Sequence, residues 1–410
     1  MNASATFQSD RLLLGSPLRR RGVCAGVGLA LLLILLASTL VHLGVLSSLR
    51  PDAERVFVRA LVLSTLLSAV PIAVLWYLDR RERETPWLFA VAFLWGGCIA
   101  TAIALPLNTA FFVLTDAWVA QHPMIAKILG PDAALMLAAP ISAPIAEELA
   151  KALGVLLLFW LLRAEFDNMR DGLVYGALVG VGFNWFEAAL YVAQGYSQWG
   201  VAPYGLHLGS RYALFGLGGH ALFTGIFGAS LGFAMQTRRS WLRVLAPLAG
   251  LLLAIFAHML NNALPLIAAL VGAAQGEAPP GPEELPQVSF LAAFVSTTLL
   301  DLTVFLPFVI VLAVLLWRSG VWERRVIREE LADEIGRTVS PDEFDDIAAD
   351  RMLRTRRIDR FQKRRSAALV NAQHELAFRR RRVRDAGKDP NADPLVVGWR
   401  NEIRRLRGLV

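Results

Sequence analysis

Side chains that do acid–base or metal chemistry stand where an otherwise apolar sequence would exclude them. Glu147, Glu148 and Lys151 interrupt the run 133–162, and Glu187 lies in 171–193. His220 falls in 210–235, and His258, Asn261 and Asn262 in 241–272. An ionisable group at bilayer depth costs about 2.5–3.5 kcal/mol on insertion scales, so each needs partners or a task. Glu147 and Lys151 are i,i+4 and Glu148 and Lys151 are i,i+3, so on a helix either carboxylate can meet the ammonium. One ammonium cannot neutralise two carboxylates, and the one left over suits a general base. His258 and Asn262 are also i,i+4 and point into one space, where Asn262 can orient the imidazole or donate to an oxyanion. Asn184 and Glu187, i,i+3, read as a supporting pair.

These groups need helices to carry them. The chain is 55% hydrophobic and only 18% charged, with a mean hydropathy of +0.49. That excludes an ordinary soluble enzyme, which is about a quarter charged. Stretches of about 20 apolar residues read as membrane spans. They occur near 22–47, 57–78, 87–115, 133–162, 171–193, 210–235, 241–272 and 289–317. The expected fold is all-α and polytopic, with about eight transmembrane helices and a soluble basic helical tail. Residues 1–21 form a polar leader, 22–317 the membrane domain and 318–410 the tail. The first span is too long for a signal segment and reads as uncleaved. Loop charge alternates, with Arg19–Arg21, then Arg80, Arg81 and Arg83, then Arg163 and Arg170, then Arg238, Arg239 and Arg243 on one side. The other side is poorer in cations and ends in Glu277, Glu283 and Glu284. Positive-inside logic then places both termini in the cytoplasm of a cell-membrane protein.

At 1.5 Å per residue, Glu148, His220 and His258 fall within one or two turns of a common plane, with Glu187 nearer the outer face. One intramembrane cluster is the economical reading. Around it lie small residues, among them Ala138, Ala139, Ser142, Ala143, Gly180, Gly182 and Gly219, which let membrane helices approach closely and leave room for an extended peptide. His42 and His207 read as structural, His122 and His374 as solvated.

The formal excess of +7 lies entirely after Trp317, residues 1–317 being balanced. The high isoelectric point is therefore a property of the tail, and no nucleic-acid partner is expected. Ser340, Pro341 and Glu343 make a capping-box helix start. Basic runs 354–365 and 379–384 follow, then turns at Asp389-Pro390 and Asp393-Pro394. A solvated hairpin, or one lying on anionic lipid, fits this pattern; an unknown partner is the alternative. Cys24 and Cys98 have no spacing that reads as a disulfide framework or thiolate site.

Four pieces in order carry a family resemblance: Glu-Glu-x-x-Lys (Glu147, Glu148, Lys151), Gly-x-Gly-Phe-x-x-x-Glu (Gly180, Gly182, Phe183, Glu187), an isolated His with a following aromatic and Thr (His220, Phe223, Thr224), and His-x-x-x-Asn (His258, Asn262). Over about 130–265 the sequence resembles the PrsW family of intramembrane proteases, relatives of the CAAX-prenyl-protease and Abi group. The resemblance implies hydrolysis of a peptide bond in or near the bilayer, in a membrane-anchored protein such as an anti-sigma factor. Carried over, Glu147 or Glu148 activates water, His220 and His258 bind a metal or polarise the substrate, and Asn262 supports the oxyanion. The family's second motif continues Glu-Asn, where this chain has Ala188, and Asn184 is the substitute at hand. His220, His258 and Glu148 would make the three-ligand open site of a catalytic zinc. No His-Glu-x-x-His is present, and a glutamate-dependent hydrolase without zinc stays open.

Two other classes use the same residues. A proton-coupled carrier also buries carboxylates, lysine and histidines, although no inverted repeat is visible. A non-catalytic scaffold would act through the tail and tolerate changes at the glutamates.

Overall fold

The computed structural model describes residues 16–79, 86–162, 166, 168–277, 288–348 and 363–408. Most of the leader, including Arg11, lies outside them, as do Arg80, Arg81, Arg83, Arg163, Glu283, Glu284 and most of the basic run 354–365. Every regular element among the described residues is helical. Among the described residues, seven helices are long and apolar enough to cross a bilayer, and a bent pair raises the number to eight.

The first spans are α1 (Arg21–Ser47) and α2 (Ala53–Leu78). The next is α3 (Pro86–Leu94), continued through a π-helical turn at Trp95–Ala100 into α4 (Thr101–Ala120). Short α5 (Pro123–Leu129) meets α6 (Ala133–Leu161) at 90°. Gly130 at φ 80° and Pro131 make that corner, because a positive φ and a missing N–H both stop a helix. Then come α7 (Met169–Trp199), short α8 (Tyr204–Arg211), α9 (Gly219–Gln236) and α10 (Ser240–Ala274).

Burial ranks the helices. In α7, 89% of the apolar window is buried, against 6% in α1, so α7 is the hub and α1 faces lipid. A capping box starts α7, with Asn168 accepting from the Arg170 and Asp171 N–H groups and Asp171 accepting from Asn168; Gly200 at φ 74° ends it. Its glycines set the spacing. A Cβ on Gly180 would strike the His220 carbonyl of α9, and one on Gly182 the Phe93 carbonyl of α3. Close backbone approach on two faces holds α7 in the middle.

The expected span 289–317 is not one helix. It divides into α11 (Phe290–Val304) and α12 (Leu306–Ala332) at Phe305. Pro307 in the first turn of α12 has no N–H to continue the ladder, and its ring disfavours the preceding helical turn. The helix α12 then runs unbroken past Trp317 and Arg318, so the tail begins as the end of a span.

The tail is packed, and the hairpin expected as solvated is largely buried against α12. α13 (Pro341–Ala348), α14 (Lys363–Asp385) and α15 (Pro394–Arg407) share a core with α12 built from Val326, Ile327, Leu331, Leu376, Trp399 and Ile403. The capping box forms as its spacing predicts: Ser340 N–H donates to Glu343 at 3.1 Å and Glu343 N–H to Ser340 Oγ at 3.3 Å. Much of the basic run 379–384 is engaged with acids. Arg380 meets Glu334 at 2.5 Å, Arg381 meets Glu329 at 2.9 Å, and Arg384 meets Asp333 at 2.9 Å. His374, expected in solvent, is 1% exposed in this core.

Candidate active site

The expected cluster forms, and six helices build it. Glu147, Glu148 and Lys151 lie on consecutive turns of α6, all at most 3% exposed. Lys151 Nζ donates to Glu147 Oε2 at 3.2 Å, to Glu148 Oε1 at 2.8 Å and to His220 Nδ1 at 2.8 Å. It also lies 3.8 Å from the Phe183 ring centroid, a cation–π seat. Glu148 receives Thr224 Oγ1 at 2.9 Å and meets His258 Nδ1 at 3.1 Å. Thr224 is one helical turn after His220 on α9, so the two side chains share a face.

His220 sits in the first turn of α9, aimed by an unusual backbone. Leu214 and Phe215 have φ of 51° and 57°, followed by Gly216 at 75° and Gly219 at 51°. Left-handed non-glycine residues cost about 1–2 kcal/mol each, and such strain persists only where surroundings over-determine it. Here the Leu214 N–H is held by Thr298 Oγ1 at 3.1 Å. His220 Nε2 meets Glu187 Oε2 at 2.7 Å, and the Arg211 guanidinium grips that oxygen at 2.6 Å. His258 stacks on Phe223 with centroids 5.1 Å apart.

Three donors converge. Glu147, His220 and His258 each offer a ligand atom, all within 4.8 Å of one another. Glu147 Oε2 is 3.8 Å from His220 Nδ1 and 3.9 Å from His258 Nε2. Each imidazole turns its other nitrogen to a carboxylate, His220 to Glu187 and His258 to Glu148. That pattern fixes the tautomer of a metal-binding histidine, so the donor set suits a divalent cation. The carboxylate in the set is Glu147, where the sequence pointed to Glu148. Glu148 is turned away by Thr224 and the far nitrogen of His258.

Two expected pairings are absent. Asn262 donates to the Ala139 carbonyl at 3.2 Å and accepts from Asn261 at 3.1 Å, tying α10 to α6 rather than orienting His258. Asn184 donates to the Arg211 carbonyl at 3.0 Å, so it meets Glu187 only through Arg211. His42 bonds Thr101 at 3.0 Å, and His207 stacks on Tyr191, whose ring also lies under Arg211.

Sequence reasoning missed Arg211 and Asn108. Arg211 opens the expected sixth span, where any cation is costly; counting it among the intramembrane charges would have found it. Asn108 in α4 donates to Glu147 Oε1 at 3.2 Å and accepts from Ser142 at 2.8 Å. As an uncharged amide it gave no comparable signal. A cavity of about 370 Å³ between α4, α6 and α7 reaches the cluster, lined by Asn108, Ala138, Ser142, Glu147, Glu187 and Tyr191.

An all-helical membrane protein with carboxylates and imidazoles gathered beside an internal cavity has the makings of an intramembrane hydrolase. The model of the PrsW family intramembrane metalloproteases matches residues 84–300, a span that contains the whole cluster, and the chain belongs to that family. It is a membrane protease. No curated protein and no solved structure matches it.

Proposed function

We propose that the chain cuts a membrane-anchored protein within its spanning segment, using Glu147, Glu148, His220 and His258. The observation that carries this reading is the meeting of Glu147 with both imidazoles beside the cavity. Glu147 is the acid that joins the two: its Oε2 faces the histidines, while Oε1 meets Asn108 on the cavity wall. Oε1 takes the proton from the attacking water and passes it to the leaving amine. Glu148 and Glu187 hold His258 and His220 by their far nitrogens, and Arg211 fixes Glu187. Asn262 positions α10 against α6.

A divalent cation, when bound, would be held by Glu147, His220 and His258 and would polarise the scissile carbonyl and acidify water. Zinc suits two imidazoles and a carboxylate. The chain's own groups supply the shape: small residues Ala138, Ala139 and Ser142 on α6 leave room for an extended backbone. Residues 22–317 form the protease domain in this reading and 318–410 a cytoplasmic tail, in a cell membrane with both termini inside. The substrate is a single-span protein of anti-sigma-factor type. Anionic lipid or an unknown partner would meet the tail at the cytoplasmic face.

Mapping the cut tests this reading. Proteoliposomes holding the full chain and a panel of single-span baits are expected to yield product ends inside the bait's span. Those ends should vanish with Glu147→Gln. Cuts confined to bait loops, or unchanged by that substitution, would overturn it.

A further inference from the structure

Lys151 is the buried charge that the proposed mechanism leaves without a chemical step, and its surroundings are those of a bound cation. Its ammonium is completely buried. It donates to His220 Nδ1 at 2.8 Å and to Glu147 Oε2 at 3.2 Å, two of the three atoms that converge as a metal-binding set.

A neutral imidazole has one acceptor nitrogen. His220 Nε2 lies 2.7 Å from Glu187 Oε2, so it carries the proton and Nδ1 carries the lone pair. Arg211 Nη1 lies 2.9 Å from the same Nε2 because both groups close on one Glu187 oxygen. The lone pair on Nδ1 points at Lys151. A divalent cation needs that same lone pair, and one lone pair cannot serve both.

We infer that the Lys151 ammonium is a built-in competitor for the metal: it occupies the cation position of the Glu147–His220–His258 set, and loading requires it to withdraw. This rests on the reading that those three residues take a divalent cation. The withdrawn ammonium has a seat. Glu148 Oε1 at 2.8 Å and the Phe183 ring at 3.8 Å both remain within reach of a flexible four-carbon stem. In the cation position the ammonium partly offsets the charge of the two carboxylates until metal arrives, and it sets a floor on the metal concentration the protein needs.

The test is zinc affinity of the purified full chain in detergent, measured by competition with a chromophoric chelator. Removing the competitor deletes two charge-assisted hydrogen bonds that loading must break, so Lys151→Met is expected to bind zinc at least about tenfold more tightly than wild type. The gain should disappear in Lys151→Met/His258→Ala. Should Lys151→Met fail to fold, Lys151→Gln serves, with zinc expected to raise its Tm more than that of wild type. Equal or weaker binding by the Lys151 variants would overturn the inference, since Lys151 would then support the site rather than contest it. Baits cut by a protein that takes no zinc, with or without Lys151, would also overturn it while leaving the protease reading intact. A tightened zinc site in a protein that cuts no bait would uphold the competition and reject the protease reading.

Discussion

At the scale of residues, the site is a chain of charges in which each group is fixed by the next. Arg211 holds Glu187, Glu187 holds His220, and Lys151 joins His220 to both α6 glutamates. Arg211 touches neither the cavity-facing oxygen of Glu147 nor His258, so it acts as a positioning residue. Arg211→Met is expected to lower kcat by about 10–100-fold with little change in KM, as for other groups that orient a ligand histidine. Arg211→Lys should recover part of the loss. A fall in KM-dependent binding alone, with kcat intact, would remove Arg211 from this role. The glutamates and histidines were legible in the sequence because a charge at membrane depth is costly and stands out. Which glutamate faces the histidines was not legible, because adjacent positions on α6 are separated by side-chain rotation that Thr224 and His258 decide from other helices. The partners of Asn184 and Asn262 were not legible for the same reason: spacing puts Asn184 beside Glu187 and Asn262 beside His258 on a helix face, but the nearest acceptor across the interface takes the hydrogen bond.

At the scale of elements, α7 is the piece that everything else is built around. Its glycines are backbone contacts, and small residues there are required by distance rather than flexibility. Gly182→Val puts side-chain atoms where the Phe93 carbonyl lies and is expected to destabilise the protein by about 1–3 kcal/mol. A lower midpoint of thermal unfolding in detergent would register it; an unchanged midpoint would mean that α3 and α7 can separate without cost. The spans themselves were readable from apolar length. Their interruptions were readable only in part: Pro307 and Gly130-Pro131 are visible as breakers, whereas the 90° angle that the second makes depends on how α4 and α6 pack. The left-handed turn at Leu214 and Phe215 has no sequence signal at all, because neither residue type favours it.

At the scale of the whole molecule, the basic tail is a folded unit rather than a loose polybasic segment. Its ion pairs run from α14 and α15 to the acidic end of α12, which is also the end of a membrane span. Asp393 links α14 to α15 by capping α15 and pairing with Arg379 at 2.6 Å. Although burial pushes its carboxyl up, the bonds from Arg379 and from the Val396 and Leu395 N–H groups hold it below the ordinary value. Its stabilisation is therefore present above the unfolded aspartate value of about 3.9 and is lost as pH falls through the lower folded value. Asp393→Ala is expected to cost about 1 kcal/mol at neutral pH, seen as faster hydrogen exchange in α15 of the full chain, and to cost nothing in strong acid. Equal exchange at neutral pH would show that the cap is dispensable. Charge counting located the tail's excess but could not show that its arginines have acidic partners on α12, because those partners are fixed by packing.

The central claim is that Glu147, His220 and His258 together perform the cleavage. Its most direct test is the single-turnover rate of bait cleavage in proteoliposomes, for wild type and for Glu147→Gln, His220→Ala and His258→Ala reconstituted to equal, folded amounts. Each variant is expected to cut at least about 100-fold more slowly. A variant at any of the three positions that cuts at the wild-type rate would contradict the claim.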